Sequence, residues 1–309
     1  MSFEQQERVM FDLLFDSELR DQFCVDQTKA LSDYDLDEIE HNDFKTIRPD
    51  ALQLDAAMRA DLMLLHLCKS FPISFSITSS LTNGINELKQ LIDTTTMRSL
   101  PIERATVFGN RLREEYASFS FASVQEQEKA SSILEVELGM AWTSASLKHV
   151  VLKNGPLPDT NGEIGNDWLN KPTKLADYVS AAIIPQSYVQ LKKSTCSVAD
   201  DCLWRQLNKT PLSVSLRKRT LEIEDPRLLV TRATISRPSK CEPAVDFKTV
   251  ELSEGFASLF QHVNGTMSVA QILAQLKQIG ASKQILEGVQ SAFKQLLDTR
   301  MLEISLKSK

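Results

Sequence analysis

Cysteine and histidine are the side chains in this sequence best suited to bind a transition metal or to act as a nucleophile. The only close pair, Cys196 and Cys202, has a spacing that matches no zinc-binding pattern, and no histidine lies beside it. The other candidates are scattered along the chain: Cys24, Cys68, Cys241, His41, His66, His149 and His262. Nucleophile-elbow, P-loop and HExxH motifs do not occur. The sequence therefore predicts no catalytic, cofactor-binding or metal-binding residue in this chain.

The composition indicates a folded cytoplasmic protein. Hydrophobic residues make up 42% and charged residues 25% of the 309 residues, which is typical of globular chains long enough for two domains. The five cysteines are odd in number and widely spaced, which favours free thiols in a reducing compartment. Glu4, Glu7 and Asp12 interrupt the segment where a secretory signal would need a positive end and an apolar run. No segment approaches the roughly 18 apolar residues of a membrane span, so no membrane partner is expected.

Hydrophobic periodicity divides the chain into three predicted regions. Apolar residues at helical spacing predict an all-helical domain over residues 1–150, which begins strongly acidic, with 16 acidic and 7 basic residues in positions 1–80. Turn residues from Asn154 to Asp167 start a linker with short helices at residues 151–207, one of them around Leu175–Ile184. Residues 208–309 switch to strand-like alternation followed by helical periodicity.

The last region predicts three strands followed by three helices. The strands are expected at residues 212–223, 228–235 and 245–252, and the helices at 255–263, 269–279 and 283–302. Ser17, Ser268 and Ser282 are placed to cap helices. We therefore predict an α+β chain, in which an N-terminal all-helical domain precedes a winged-helix-like domain with an antiparallel sheet.

The last predicted helix carries two apolar stripes about 100° apart. One stripe holds Ile285, Val289, Ala292 and Leu296, and the other holds Leu286, Phe293 and Leu297. A helix that packs on one sheet face needs to bury only one stripe. The second stripe therefore either joins the core or lines a groove beside the third strand. An exposed strand edge next to such a groove can accept an extended peptide as an additional strand.

The same region resembles a known family of peptide-binding domains. The run VDFKTVELSEGFASLFQHVNGTMSVAQILAQLK, followed by QILEGVQSAFKQLLDTRML, is similar to the PqqD-like precursor-recognition domains of peptide-modifying systems. The matching features are a turn and two spaced apolar pairs: Asn264-Gly265-Thr266, Val269 with Ile272, and Leu297 with Leu302. The resemblance implies that the leader of a ribosomally made precursor peptide binds between the third strand and the third helix. The implied contacts are Phe247, Lys248, Thr249, Val250, Leu286, Gln290, Phe293 and Leu297.

Three N-terminal segments carry a second resemblance: DLLFDSELRDQFCVDQTKALSDYDLDEIEHNDF, AAMRADLMLLHLCKSFP and SILEVELGMAWTSA. They are similar to the helical domain of proteins that accompany multi-iron barrel oxygenases. Together, the two resemblances point to accessory proteins of methanobactin biosynthesis, the MbnC type. They imply a heterodimer with an iron-containing TIM-barrel oxygenase subunit of the MbnB type, which converts precursor cysteines to oxazolone and thioamide groups. The iron would lie in that partner, and Trp168, Tyr188 and Trp204 are candidate anchors for docking on it.

Three other readings stay open. The TglI type, which acts on a C-terminal cysteine, is the close alternative within the same group. A winged-helix regulator would use basic residues on DNA phosphates, and its candidates are Arg217, Lys218, Arg219, Arg227, Arg232 and Arg237. These residues fall mainly on predicted strands, whereas the recognition helix of such a regulator should itself be basic, so no nucleic-acid partner is expected. A free-standing enzyme is the third reading, which metal analysis of the purified chain would test.

Overall fold

The computed structural model describes residues 3–155, 165–195, 200–209, 212–222, 224–237, 239 and 243–305. Within these ranges the chain forms two compact units. The first unit comprises Met1–Ala122 and Thr195–Lys218, and the second comprises Ser123–Ser194 and Arg219–Lys309. These bounds differ from the predicted divisions at 150 and 208, because the long helix that begins at residue 124 packs on strands of the second unit. The loop predicted at Asn154–Asp167 lies mostly outside the described residues.

The first unit is helical in its described residues, as predicted. Its helices before Ala122 are α1 (Phe3–Phe15), α2 (Ser17–Val25), α3 (Gln27–Ala30), α4 (Glu38–Lys45), α5 (Pro49–Ser70), α6 (Pro72–Leu81), α7 (Asn86–Gln90), α8 (Thr94–Arg98) and α9 (Arg104–Glu115). Asp16 precedes α2 and accepts a hydrogen bond of 3.0 Å from the backbone N–H of Leu19, so it caps this helix in place of the predicted Ser17. Among the described helices of the chain, none combines the length and apolar character of a membrane span.

Helix α6 forms the centre of the first unit, because it is buried on all sides from Pro72 to Ser80. Two of its hydroxyl groups bond to its own backbone, as Ser76 Oγ donates to the Pro72 carbonyl at 2.9 Å and Ser79 Oγ donates to the Ser76 carbonyl at 2.9 Å. The buried Arg217 donates from Nη1 to Ser80 Oγ at 3.3 Å. Local hydrogen bonding of this kind lets a serine-rich helix occupy a core.

The second unit contains two three-stranded antiparallel sheets. The central sheet has the order β2 (Val179–Ile184), β3 (Arg227–Arg237), β4 (Ala244–Ser253), and the small sheet has the order β5 (Asn264–Ser268), β1 (Pro172–Leu175), β6 (Leu302–Ile304). The remaining helices of the chain are α10 (Val124–Asn154), α11 (Tyr188–Thr195), α12 (Asp200–Lys209), α13 (Val214–Glu222), α14 (Ala257–Phe260), α15 (Val269–Gln278) and α16 (Lys283–Asp298). The mixture of helices and antiparallel sheets confirms the α+β class.

Helix α10 covers one face of the central sheet. The helix passes β2 at Gly139, where an added Cβ atom would lie at ordinary contact distance, 3.6 Å, from Ser180 Cβ. Ser180 in turn forms a hydrogen bond of 2.6 Å with Thr231 of β3. Further along, Leu147 and Val151 of α10 pack with Ala233 of β3. This face is therefore closed by side chains of alternate strand residues.

The opposite face of the central sheet carries the main core of this unit. The core joins apolar residues of β3 and β4 to those of α16 and of a short 3-10 helix at Glu254–Phe256: Leu228, Val230, Val250, Leu252, Phe256, Val289, Phe293, Leu296 and Leu297. The Phe256 and Phe293 rings lie 5.1 Å apart between centroids. Burial of this many large side chains fixes α16 on the sheet.

Two sequence-based assignments are wrong in this region. Residues 212–223 do not form the first strand, because Val214–Glu222 is helix α13, whose buried Arg217 and Leu221 are four residues apart. Residues Leu175–Ile184 are not a helix and instead supply the end of β1, a turn and β2. A short apolar run does not by itself distinguish a strand from a helix. The central sheet therefore takes its first strand from before α11, not from after α12.

The two remaining strands and the last two helices match their predictions closely. Strands β3 and β4 include the predicted ranges 228–235 and 245–252. Ser268 caps α15 in a capping box with Gln271, and Ser282 caps α16 through a bond of 3.3 Å from the Ile285 N–H. The segment predicted as a helix at 255–263 instead contains a 3-10 helix at Glu254–Phe256, the short helix α14 and a turn before β5 begins at Asn264.

Candidate peptide-binding edge

Strand β4 lies at one margin of the central sheet. It pairs with β3 along its length, and among the described residues no strand pairs with its outer edge. An antiparallel strand directs the N–H and C=O groups of alternate residues to each side, so the outer edge of β4 presents a row of backbone donors and acceptors. The ten residues of β4 make this margin longer than that of β2, which has six.

Helix α16 packs on the same sheet as β4 and presents one polar face to solvent. Its buried residues are Val289, Phe293, Leu296 and Leu297, at the spacing of one helix face. The helix ends in a turn in which the Met301 N–H donates to the Leu296 carbonyl at 2.8 Å and the Arg300 N–H donates to the Leu297 carbonyl at 2.8 Å. Arg300 adopts a positive φ of 59°, a position that glycine usually occupies.

Three of the eight predicted peptide contacts belong to the core. Val250, Phe293 and Leu297 are buried and pack in the cluster that joins β4 to α16. They therefore fix the helix on the sheet, and the prediction that they line an open groove is corrected, because both apolar stripes of α16 contribute to the core.

The other five predicted contacts are at least partly accessible, but they do not share one face. Lys248, Thr249 and Gln290 are exposed, while Phe247 and Leu286 are partly buried. Phe247 packs against the cluster formed by α10 on the face of the sheet opposite to Val250. The outer edge of β4 therefore remains the candidate site. The accessible predicted side chains beside it are Lys248, Thr249, Gln290 and, in part, Leu286.

The three aromatic residues expected to dock on a partner are all buried. Trp168 belongs to the core shared with α16, and Trp204 is buried within α12. Tyr188 donates from its hydroxyl to Glu137 Oε1 at 3.1 Å, which ties α11 to α10. These side chains hold helices in place, so their prediction as exposed anchors is corrected.

Sequence analysis missed an exposed apolar stripe on helix α5. Leu54, Met58 and Leu62 lie at successive spacings of four residues and are 63%, 56% and 58% exposed. The opposite face of α5 is buried through Leu52, Ala56, Ala60, Leu64, Leu67 and Cys68. The signal was present in the sequence as a second set of apolar residues at helical spacing, next to the stripe that reached the core.

The basic residues proposed for DNA binding do not form one surface. Arg217 is buried, and Arg227 pairs with Asp225 at 2.5 Å. On strand β3, Arg232 lies on the face opposite to Arg227, because they are five residues apart and alternate residues point to opposite faces, and a register shift separates Arg237 from Ile235. The side chain of Arg219 lies outside the described residues. A continuous phosphate-binding face of the kind DNA requires is therefore not supported by these positions.

The described residues contain few cysteine and histidine side chains that could bind a metal or act as a nucleophile. Cys24 and the buried Cys68 are not joined in a disulfide, whereas Cys196, Cys241 and the side chain of Cys202 lie outside the described residues. Among the described residues, no group of three or more His, Cys, Asp or Glu side chains is arranged to hold a metal ion. The absence of a metal site stays a prediction for the whole chain.

A cationic group lies next to the candidate edge. Arg232 of β3 is directly paired with Lys248 of β4. Burial lowers the pKa of the Arg232 guanidinium, and the nearby charge of Arg300 lowers it further, while Glu303 acts in the opposite direction. Glu303 already contacts Lys174 Nζ at 2.7 Å. Arg232 and Lys248 therefore place two positive charges on one face beside the middle of β4, where Asp246 is the nearest acidic residue along the strand.

Comparisons with known proteins matched no family model, no curated protein and no solved structure.

Proposed function

We propose that this chain is a non-catalytic subunit of a peptide-modifying complex, and that it binds the leader of a ribosomal precursor peptide along the outer edge of β4. In this proposal β3, β4 and helices α14 to α16 act as a winged-helix-like recognition domain. The observation that carries the proposal is the long outer margin of β4, which no strand within the described ranges pairs, beside a helix firmly packed on the same sheet.

Strand addition suits this margin physically. A peptide that extends the sheet satisfies the outward N–H and C=O groups of β4, so its affinity comes mainly from main-chain hydrogen bonds. The sheet is rigid at this point because the core on one face and α10 on the other fix both sides of β3 and β4. Because the acceptor strand is already rigid, only the peptide loses conformational entropy when it binds.

The partner proposed is an iron-containing TIM-barrel oxygenase of the MbnB type, acting on cysteines of the precursor in a cytoplasmic complex. The partner would perform the oxidation, with oxazolone and thioamide groups as products in a methanobactin-type system, or with a C-terminal cysteine as the target in a TglI-type system. By holding the leader, this chain would raise the effective concentration of the cysteines at the partner's iron. The role of this chain in that scheme is binding and positioning.

The exposed stripe on α5 supports a docking role for the first unit. Leu54, Met58 and Leu62 form an apolar row that the described residues of the chain leave uncovered. Interface cores are enriched in large apolar residues of this kind, with methionine prominent among them. Because Trp168 and Trp204 are buried, we propose the exposed stripe on α5 as the surface that contacts the partner.

Selection of peptides on the full chain tests the function directly. A displayed library of random twelve-residue peptides is selected on the immobilised protein, and hydrogen exchange of the backbone amides is measured with and without an enriched peptide. We expect slower exchange in Ala244–Ser253 when the peptide is bound, because its backbone closes the outer edge. Enriched peptides that leave these amides unchanged and protect another surface would overturn the proposal. A salt-sensitive gel shift with duplex DNA would instead favour the regulator.

A further inference from the structure

Two like charges face each other across the strands at the candidate edge. Arg232 on the central strand β3 and Lys248 on β4 are direct partners in the antiparallel register, so their side chains lie on the same face. Like charges directly opposite each other destabilise a sheet. Lys248 is exposed, whereas Arg232 is only partly accessible and less free to turn toward water.

A third cation adds to this pair at the end of α16. Arg300 lies close enough to Arg232 for its charge to act on the Arg232 guanidinium. Its backbone has φ of 59°, in the left-handed region, which costs a residue with a Cβ atom on the order of 1 kcal/mol relative to glycine. A glycine would fit this helix end with less strain, yet the chain places an arginine here.

The acidic side chain that opposes these cations is already engaged. Among the described residues, Glu303 supplies the negative charge that acts on Arg232, and its Oε1 lies 2.7 Å from Lys174 Nζ. The Nε atom of Arg232 is buried and has no hydrogen-bond partner within the described residues. A buried donor without a partner is destabilising, and a charged donor more so. Arg232 Nε therefore lacks an acceptor among the described residues.

We propose that Arg232 and Lys248 form a binding site for a carboxylate, and that this carboxylate belongs to an Asp or Glu side chain of the peptide strand added to β4. The inference rests on the proposed function for the origin of the carboxylate. A guest residue opposite Lys248 would have its Cβ atom about 5 Å from that of Lys248 and on the same face as Arg232. Arginine offers a planar fork of donors that matches a carboxylate, which favours an acidic side chain over a neutral amide.

The first experiment measures the site without any peptide. Glutarate, a soluble mimic of a glutamate side chain, is titrated at constant ionic strength into the full chain labelled with ¹⁵N, and the arginine Nε–Hε signals are followed. We expect a saturable shift of the Arg232 signal, with an affinity reduced at least about fivefold in Lys248→Gln. The matched control is Lys277→Gln, which removes an exposed lysine of α15 and should leave the affinity unchanged. Inorganic phosphate, titrated in parallel, shows whether the site prefers a carboxylate.

The second experiment asks where the carboxylate comes from. Random twelve-residue peptides are selected in parallel on the wild-type chain and on Lys248→Glu. We expect Asp or Glu to be enriched at one position on the wild type, and that preference to be lost or replaced by Lys or Arg on the variant. Lys248→Gln changes an exposed position, so it should fold as stably as the wild type and should bind the acidic peptides more weakly, which separates binding from folding.

The outcomes distinguish this inference from the function on which it rests. Peptides that protect β4 but show no acidic preference, together with no saturable glutarate shift, would overturn the carboxylate site and leave the peptide-binding function intact. A saturable glutarate or phosphate shift with no peptide selected would show a site for a free anion and would overturn both the peptide origin and the proposed function. Absence of any Arg232 shift with either anion would overturn the site itself.

Discussion

Proline substitutions at two neighbouring positions of β4 should have opposite effects if its outer edge accepts a guest strand. Successive residues of an antiparallel strand direct their N–H groups to opposite sides. One of the amides of Lys248 and Thr249 therefore bonds to β3, and the other points outward. Proline has no N–H and is tolerated in a sheet only where that group faces away from the ladder. We expect only one of Lys248→Pro and Thr249→Pro to fold normally.

The size of each effect follows from the position of β4 in the sheet. The inward proline removes a bond to β3 and leaves a buried carbonyl unpaired, which together cost about 2–4 kcal/mol in the free energy of unfolding. It also disturbs the neighbouring core pair Val230 and Val250. The outward proline changes an exposed position of the free protein and should cost at most about 0.5 kcal/mol. Against a guest strand it removes one main-chain bond and adds a bulky ring, so the peptide affinity should fall by about tenfold.

Two measurements on each variant check this reasoning. Urea unfolding followed by circular dichroism gives the free energy of unfolding, and fluorescence anisotropy with a labelled peptide from the wild-type selection gives the affinity. The conservative variants Lys248→Gln and Thr249→Ser keep the backbone N–H and serve as controls for the loss of each side chain. A proline variant that is as stable as the wild type and binds the same peptide with unchanged affinity would refute strand addition at β4.

Three further predictions concern the fold around the site. Phe293→Asp places a carboxylate in the core beside Phe256 and should lower the free energy of unfolding by more than about 3 kcal/mol, while Phe293→Leu should cost about 1–2 kcal/mol, as measured by urea unfolding. Gly139→Ala adds a Cβ atom at ordinary contact distance from Ser180 and should raise the melting temperature through the better helix propensity of alanine, whereas Gly139→Leu should lower it by overpacking. Burial, aided by Asp12, raises the pKa of Tyr34 to about 12 from its usual 10.0. Since the unfolded phenol ionises first, its contribution to stability is complete below pH 10 and is lost as the pH rises toward 12, and Tyr34→Phe should show a flatter stability curve over that interval.

The parts of the fold that depend on local signals could be predicted from the sequence. Ser268 and Ser282 mark the starts of α15 and α16 because a serine hydroxyl can bond to the free N–H groups of the first helical turn. Strands β3 and β4 follow from alternating apolar residues separated by a proline-rich turn. In each case the pattern and the structure it specifies lie within about twenty residues of one another.

The first strand of the central sheet could not be found in this way. Strand β2 pairs with β3 across an insertion that contains α11, α12 and α13, and no local pattern specifies pairing over that distance. The same limit explains the misplaced site residues. The second apolar stripe of α16 was compatible with either a groove or a core, and only the positions of Phe256 and β4 decide that Phe293 is buried. Trp204 shows the same ambiguity, since an aromatic residue suits both an interface and a core.

A lysine on an edge strand can also protect the strand from unwanted pairing, but this role explains only part of the positive charge beside β4. Charged side chains on edge strands hinder unwanted pairing with other chains, and Lys248 alone would fit that role. Arg232 does not, because it lies on the central strand β3, is partly withdrawn from solvent and keeps a buried Nε without a partner among the described residues. Arg300 adds positive charge at a helix end where glycine would be less strained. An edge that only prevents strand pairing would not need cations on the neighbouring strand. An edge that binds an acidic peptide strand and repels basic ones would need them.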